Sequence, residues 1–117
     1  MPINSRQKGA QGEREWAKWL RVNLNVKDAR RGCQHAGGVD SPDVIGLPGT
    51  HAEVKRAQKL NLSAAMSQSI RDAQFNLPYV AHRKNGEPWM ITIRASDVVL
   101  FYRVLKLHLE DDMARGY

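Results

Sequence analysis

Glu13, Trp16, Ala17, Leu20 and Leu24 stand at i, i+3, i+4, i+7 and i+11, which predicts an amphipathic helix from about Ser5 to Leu24 with charged residues on its outer side. A short "VKDARR" follows as a possible edge strand, then a loop-like "GCQHAGG". Two β-like runs, "PDVIG" and "HAEVKR", are joined by Leu47-Pro48-Gly49-Thr50, and the Pro-Gly pair predicts a hairpin turn. Asn61 or Ser63 can cap a second helix whose stripe is Leu62, Ala65, Met66, Ser69 and Ala73. "YVAHR" and "WMITI" flank "KNGEP", where Asn-Gly is a strong hairpin signal. Ser96-Asp97 opens a last helix, "VVLFYRVLKLHLE", whose β-branched start leaves its first turn ambiguous with a strand. The predicted order is α-β-β-β-α-β-β-α. It describes an α/β fold, residues 1–117 forming a single domain around a central mixed sheet of about five strands flanked by helices.

The register of the first hairpin decides which side chains meet. A two-residue loop at Pro48-Gly49 pairs Val44 with Glu53 and sends Asp43 and Glu53 to opposite faces. A three-residue loop, with Gly49 left-handed, pairs Asp43 with Glu53. The second register is favoured because it puts Val44, Ala52 and Val54 on one apolar face and Asp43, Glu53 and Lys55 on the other. Leu47 before Pro48 is a complication for a helical-region turn, and a bulge elsewhere could supply the same shift.

Two directly opposed carboxylates, with Cβ atoms about 5 Å apart, repel unless a proton or cation stands between them. Oxygen ligands with positions left for water and phosphate suit Mg²⁺, with Mn²⁺ as a substitute, and do not suit Zn²⁺. Lys55 on the same face can orient an attacking water and offset charge developing on a phosphate. Glu13 lies within the apolar stripe of the first helix, so it points at the sheet and needs a partner, either a metal or Lys55. Glu15, about 200° round the helix from Glu13, is expected to face solvent. His51 and His82 read as strand residues, not ligands, and Trp16 and Trp19 as core or interface residues.

Charge narrows the partner. Lys and Arg number 18 against 12 Asp and Glu, a formal net charge of +6 over 117 residues, which favours a polyanion, above all nucleic acid. Residues 1–31 carry Arg6, Lys8, Arg14, Lys18, Arg21, Lys27, Arg30 and Arg31 against Glu13, Glu15 and Asp28, so the excess forms a patch. The single cysteine, Cys33, excludes an intramolecular disulfide, and His35, His51, His82 and His108 lack zinc-site spacing. No stretch has the apolar length of a secretory signal or a membrane span, and the chain reads as cytoplasmic with no membrane partner.

"KGAQGERE", "SPDVIG", "AEVKRAQ" and "MSQSIRDA" together resemble the PD-(D/E)XK nuclease superfamily, and within it the small archaeal and phage Holliday junction resolvases. Pro42-Asp43 matches the "PD", Glu53-Val54-Lys55 the "(D/E)XK", and Glu13 the helix glutamate, with Glu15 as the fallback. Gln68 resembles the glutamine that several branches carry on the following helix. The resemblance implies a restriction-endonuclease-like fold and a Mg²⁺-dependent DNA endonuclease acting as a homodimer in a bacterial, archaeal or phage-infected cell. Asp43, Glu53 and Glu13 would hold the metal, and Lys55 would position the water. Lys8, Arg30, Arg31, Arg56 and Gln68 would contact DNA, most plausibly a four-way junction. Flap, duplex-nicking or replication-repair nucleases share these residues. A catalytically silent DNA-binding module, with Asp43, Glu53 and Lys55 as a salt-bridged hairpin, is the alternative from another class.

Overall fold

The computed structural model describes residues 5–32 and 41–114. Most of the "GCQHAGG" loop, with Cys33 and His35, lies outside the described residues. The chain runs α1 (Ser5–Asn23), β1 (Arg30–Arg31), β2 (Val44–Ile45), β3 (Thr50–Arg56), α2 (Leu62–Ala73), β4 (Leu77–Arg83), β5 (Met90–Thr92) and, after a 3-10 turn at Ala95–Asp97, α3 (Val98–Ala114). The expected element order is reproduced. The strands form one sheet in the order β1-β2-β3-β4-β5, with β3 and β4 parallel and every other pair antiparallel. The parallel pair needs a crossover, which α2 supplies. Among the described residues no helix is long and apolar enough to cross a membrane.

The core sits between α1 and one face of the sheet. Trp16, Ala17 and Leu20 pack there with Val44, Ala52, Val54, Tyr79 and Ala81. Trp16 is 1% exposed and its indole Nε1 donates to Tyr79 Oη at 3.0 Å. It also stacks on Trp19, with ring centroids 5.0 Å apart. Removing a tryptophan of about 200 Å² from water at about 25 cal/mol per Å² stabilises by up to roughly 5 kcal/mol. Trp16 therefore anchors α1, and with it Glu13 one turn upstream.

α2 covers the opposite face with small residues, Ala65, Ser69 and Ala73. Asn61 caps it, its side chain accepting from Ala64 N at 3.0 Å, as one of the two candidate caps predicted. Ser69 Oγ lies 3.1 Å from the His51 carbonyl and 3.2 Å from the Tyr79 carbonyl, so a bifurcated hydroxyl stitches α2 to both central strands. α3 lays Phe101, Val104 and Leu105 on the α1 side of the core. Other large apolar residues on it, Val98, Val99, Leu100, Tyr102, Leu107 and Leu109, are exposed.

Candidate active site

Val44 pairs with Ala52 across β2 and β3, which places Asp43 opposite Glu53 in the register that brings the carboxylates together. Gly49 has φ +79°, the left-handed conformation expected of it. Thr50 N closes the turn onto Leu47 O at 3.4 Å, with Pro48 and Gly49 as its central residues, the positions they occupy in a type II turn. Such a turn leaves Leu47 free of the helical region that Pro48 disfavours. A second positive-φ glycine, Gly46 at +121°, absorbs the rest of the distortion.

β2 ends early, and Asp43 continues its ladder. Its backbone N donates to Ala52 O at 2.8 Å while its Oδ2 accepts from Val54 N at 2.8 Å. Glu53, 5% exposed, shares a side-chain hydrogen bond with Asp43 and approaches Lys55 Nζ at 3.3 Å. Burial first, and the Asp43 charge second, push the Glu53 carboxyl up to about 7, against the pull of Lys55. Glu53 therefore holds its proton to a higher pH than an exposed carboxyl does.

Glu13 is buried on the inner stripe of α1, as the periodicity requires. Its direct partner differs from expectation: Arg31 Nε donates to Glu13 Oε1 at 3.0 Å, in place of Lys55. Burial raises the Glu13 carboxyl, the Arg31 bond opposes this, and the nearby Asp43 charge raises it further. Glu13 thus feels the Asp43 charge, but among the described residues it is not part of the group of side chains whose ligand atoms lie close enough to share one ion.

Glu15 is half-buried, with 27% of its side chain exposed, and is tied to the sheet in place of standing free in solvent. Its Oε2 accepts from Arg56 Nε at 3.1 Å and lies 3.6 Å from Arg83 Nη1, because α1 crosses the end of the sheet where both arginines rise from neighbouring strands. Arg56, whose side chain is 15% exposed, also donates to Asn85 Oδ1 at 2.5 Å, so the guanidinium assigned to DNA is committed within the protein. Arg30 is exposed and donates to the Asp28 carbonyl at 2.8 Å, and Arg31 keeps 42% of its side chain exposed while holding Glu13. Lys8 lies half-buried on α1, and Gln68 half-buried on the α2 turn before Asp72.

On sequence His51 reads as a strand residue and not a ligand, and Asp72 is not singled out. His51 is 2% exposed on β3, two positions before Glu53, and Asp72 hangs from α2 over the same face. The ligand atoms of His51, Glu53 and Asp72 all lie within 4.8 Å of one another. Period two along β3 pairs His51 with Glu53 in the sequence itself, but which α2 residue meets them depends on how the helix is rotated on the sheet.

The donor set around Asp43 has the chemistry a hard divalent ion takes: carboxylate oxygens from separate strands, with a carboxyl that burial and a neighbouring charge make reluctant to ionise. Neither a protein-family model, nor a curated protein, nor a solved structure matches this chain.

Proposed function

We propose that this protein is a Mg²⁺-dependent DNA endonuclease with a restriction-endonuclease-like fold of the PD-(D/E)XK type, acting on branched DNA such as the four-way junction. The observation that carries the reading is the half-buried Asp43 set opposite the buried Glu53 across β2 and β3, with Lys55 Nζ 3.3 Å from Glu53 Oε1. A salt-bridged hairpin without catalytic purpose gains nothing from setting a half-buried acid opposite a buried one, which costs desolvation and repulsion together.

Asp43 and Glu53 would hold the ion, with Glu13 at the Asp43 end. A bound divalent cation supplies positive charge to the scissile phosphate and favours hydroxide as the attacking species. Lys55, its Nζ 3.3 Å from Glu53 Oε1, would align the water against the phosphorus. Arg31 holds Glu13 in position while its exposed part, with Arg30 and Lys8, offers cations to the DNA backbone, which fixes register without reading sequence. A second copy of the chain would dock on α3, where Val99, Leu100, Tyr102 and Leu107 are exposed, and an isologous dimer would present two sites to a nearly two-fold junction.

The test is cleavage of labelled four-way junction, flap and linear duplex with Mg²⁺ or chelator. Paired nicks in the junction alone are expected. Asp43→Asn, Glu53→Gln and Lys55→Met should each lower the rate by at least about 100-fold, and Asp43→Asn with Lys55→Met should be little worse than either, since the residues act as a unit. Metal-dependent cutting that survives Asp43→Asn and Glu53→Gln would reject the site, and binding without cutting would favour the silent module.

A further inference from the structure

Glu53 faces two ways. Beyond Asp43 it joins a second group of ligand atoms drawn from β3 and α2, those of His51 and Asp72, all within 4.8 Å of one another. The arrangement is built from both sides. His51 and Glu53 share a face because strand side chains alternate. Asp72 follows Ser69 by three residues, one helical turn, and Ser69 is fixed by its hydroxyl to the His51 and Tyr79 carbonyls at 3.1 and 3.2 Å. His51 and Glu53 are 2% and 5% exposed, whereas Asp72 is half-buried and leaves an approach from its side.

The spacing suits one ion. With metal–ligand distances of about 2.0–2.2 Å, ligand atoms sharing a cation stand roughly 3–4 Å apart, and small rotations of Glu53 or Asp72 close that gap from 4.8 Å. The donor chemistry differs from that of the Asp43 side. An imidazole nitrogen with two carboxylates selects a first-row transition dication over Mg²⁺, which prefers oxygen and sheds its water reluctantly.

We propose that His51, Glu53 and Asp72 form a second cation site, specific for a first-row transition metal dication such as Mn²⁺ or Zn²⁺, with Glu53 common to it and to the Asp43 side. The site is a property of the protein alone and does not rest on the nuclease reading. It makes the metal preference of the molecule two-part, with Mg²⁺ held by oxygen ligands at Asp43 and a tighter transition metal behind it.

Mn²⁺ binding to the DNA-free protein, followed by loss of the free-ion electron paramagnetic resonance signal, tests this. One Mn²⁺ should resist a hundredfold excess of Mg²⁺, be displaced by stoichiometric Zn²⁺, and show spin-echo modulation from an imidazole nitrogen. Asp72→Asn and His51→Gln should weaken that binding by at least about tenfold, and Asp43→Asn should retain it. His51 is buried and its variant can fail to fold, so circular dichroism accompanies it, and Asp72→Asn at a half-exposed position reads the same site independently. Wild-type Mn²⁺ affinity in Asp72→Asn, absence of nitrogen modulation, or complete displacement by Mg²⁺ would overturn the proposal. Intact Mn²⁺ binding without cleavage of any DNA would leave this site standing and reject the nuclease reading.

Discussion

A carboxyl group that is 5% exposed and lies beside another carboxylate gives up its proton only at a raised pH unless a cation displaces it. Glu53 is raised by burial, then by Asp43, from 4.5 to about 7. Between those two values the folded protein keeps a proton that the unfolded chain has released. The contribution of Glu53 to stability is therefore fully present below about pH 4.5 and is lost as pH rises through about 7. Denaturation midpoints in chelator, wild type against Glu53→Gln, should show this: the wild type loses ground to the variant from pH 4.5 to 8, and a gain instead would mean that Glu53 is ionised throughout. A cation must displace the same proton, so apparent Mg²⁺ affinity should rise about tenfold per pH unit below about 7 and level off above it. Isothermal titration calorimetry in buffers of different ionisation enthalpy counts the released proton. At this scale the sequence was informative about Asp43, Glu53 and Lys55, because period two and one turn determine their face. It was uninformative about Arg31 as the partner of Glu13 and about Asp72, since those meetings depend on distances between elements that no local pattern encodes.

Among the elements, α1 positions Glu13 through a close approach to β3. A Cβ built on Gly12 would stand 2.7 Å from Arg56 Cβ, whereas one on Gly9, in the same helix, meets nothing within 4 Å. Helix propensity alone favours Gly→Ala by about 1 kcal/mol at either position. Gly9→Ala should realise that gain. At Gly12 the added methyl must push α1 from the sheet, at an overpacking cost of about 1–3 kcal/mol, so Gly12→Ala should be neutral to destabilising by about 2 kcal/mol and should slow cleavage by moving the adjacent Glu13. Urea denaturation of the two variants reads the opposite signs, and equal stabilisation would show that the helix yields without cost. The order of elements was legible because helices and strands declare themselves through periodicity, turn residues and the Asn61 cap. The exact extent of β1 and β2, each only two residues long, was not, because pairing at a sheet edge depends on neighbours brought from elsewhere. The inward set of Glu15 was hidden for a related reason: its partners, Arg56 and Arg83, come together only when β3 and β4 pair in parallel.

For the molecule as a whole, a net charge of +6 predicts salt-sensitive DNA binding, but the structure divides the cations that can serve it. Each phosphate neutralised contributes about −0.9 to the slope of log affinity against log salt on duplex DNA. Arg30 is exposed and donates to a backbone carbonyl, that of Asp28, so it should meet a phosphate at little cost. Arg56 would first have to leave Glu15 and Asn85 from a side chain that is 15% exposed. Arg30→Gln should therefore make the slope shallower by about one, weakening binding similarly across DNA sequences. Arg56→Gln should leave the slope unchanged and instead lower stability by about 1–2 kcal/mol, through loss of charge-assisted bonds to Glu15 and Asn85. Fluorescence anisotropy of a labelled four-way junction, in chelator so that no strand is cut and over about a tenfold range of salt, separates the two. A shallower slope for Arg56→Gln would mean that DNA draws Arg56 away from Glu15, and it would free Glu15 to turn towards the carboxylate pair when substrate binds.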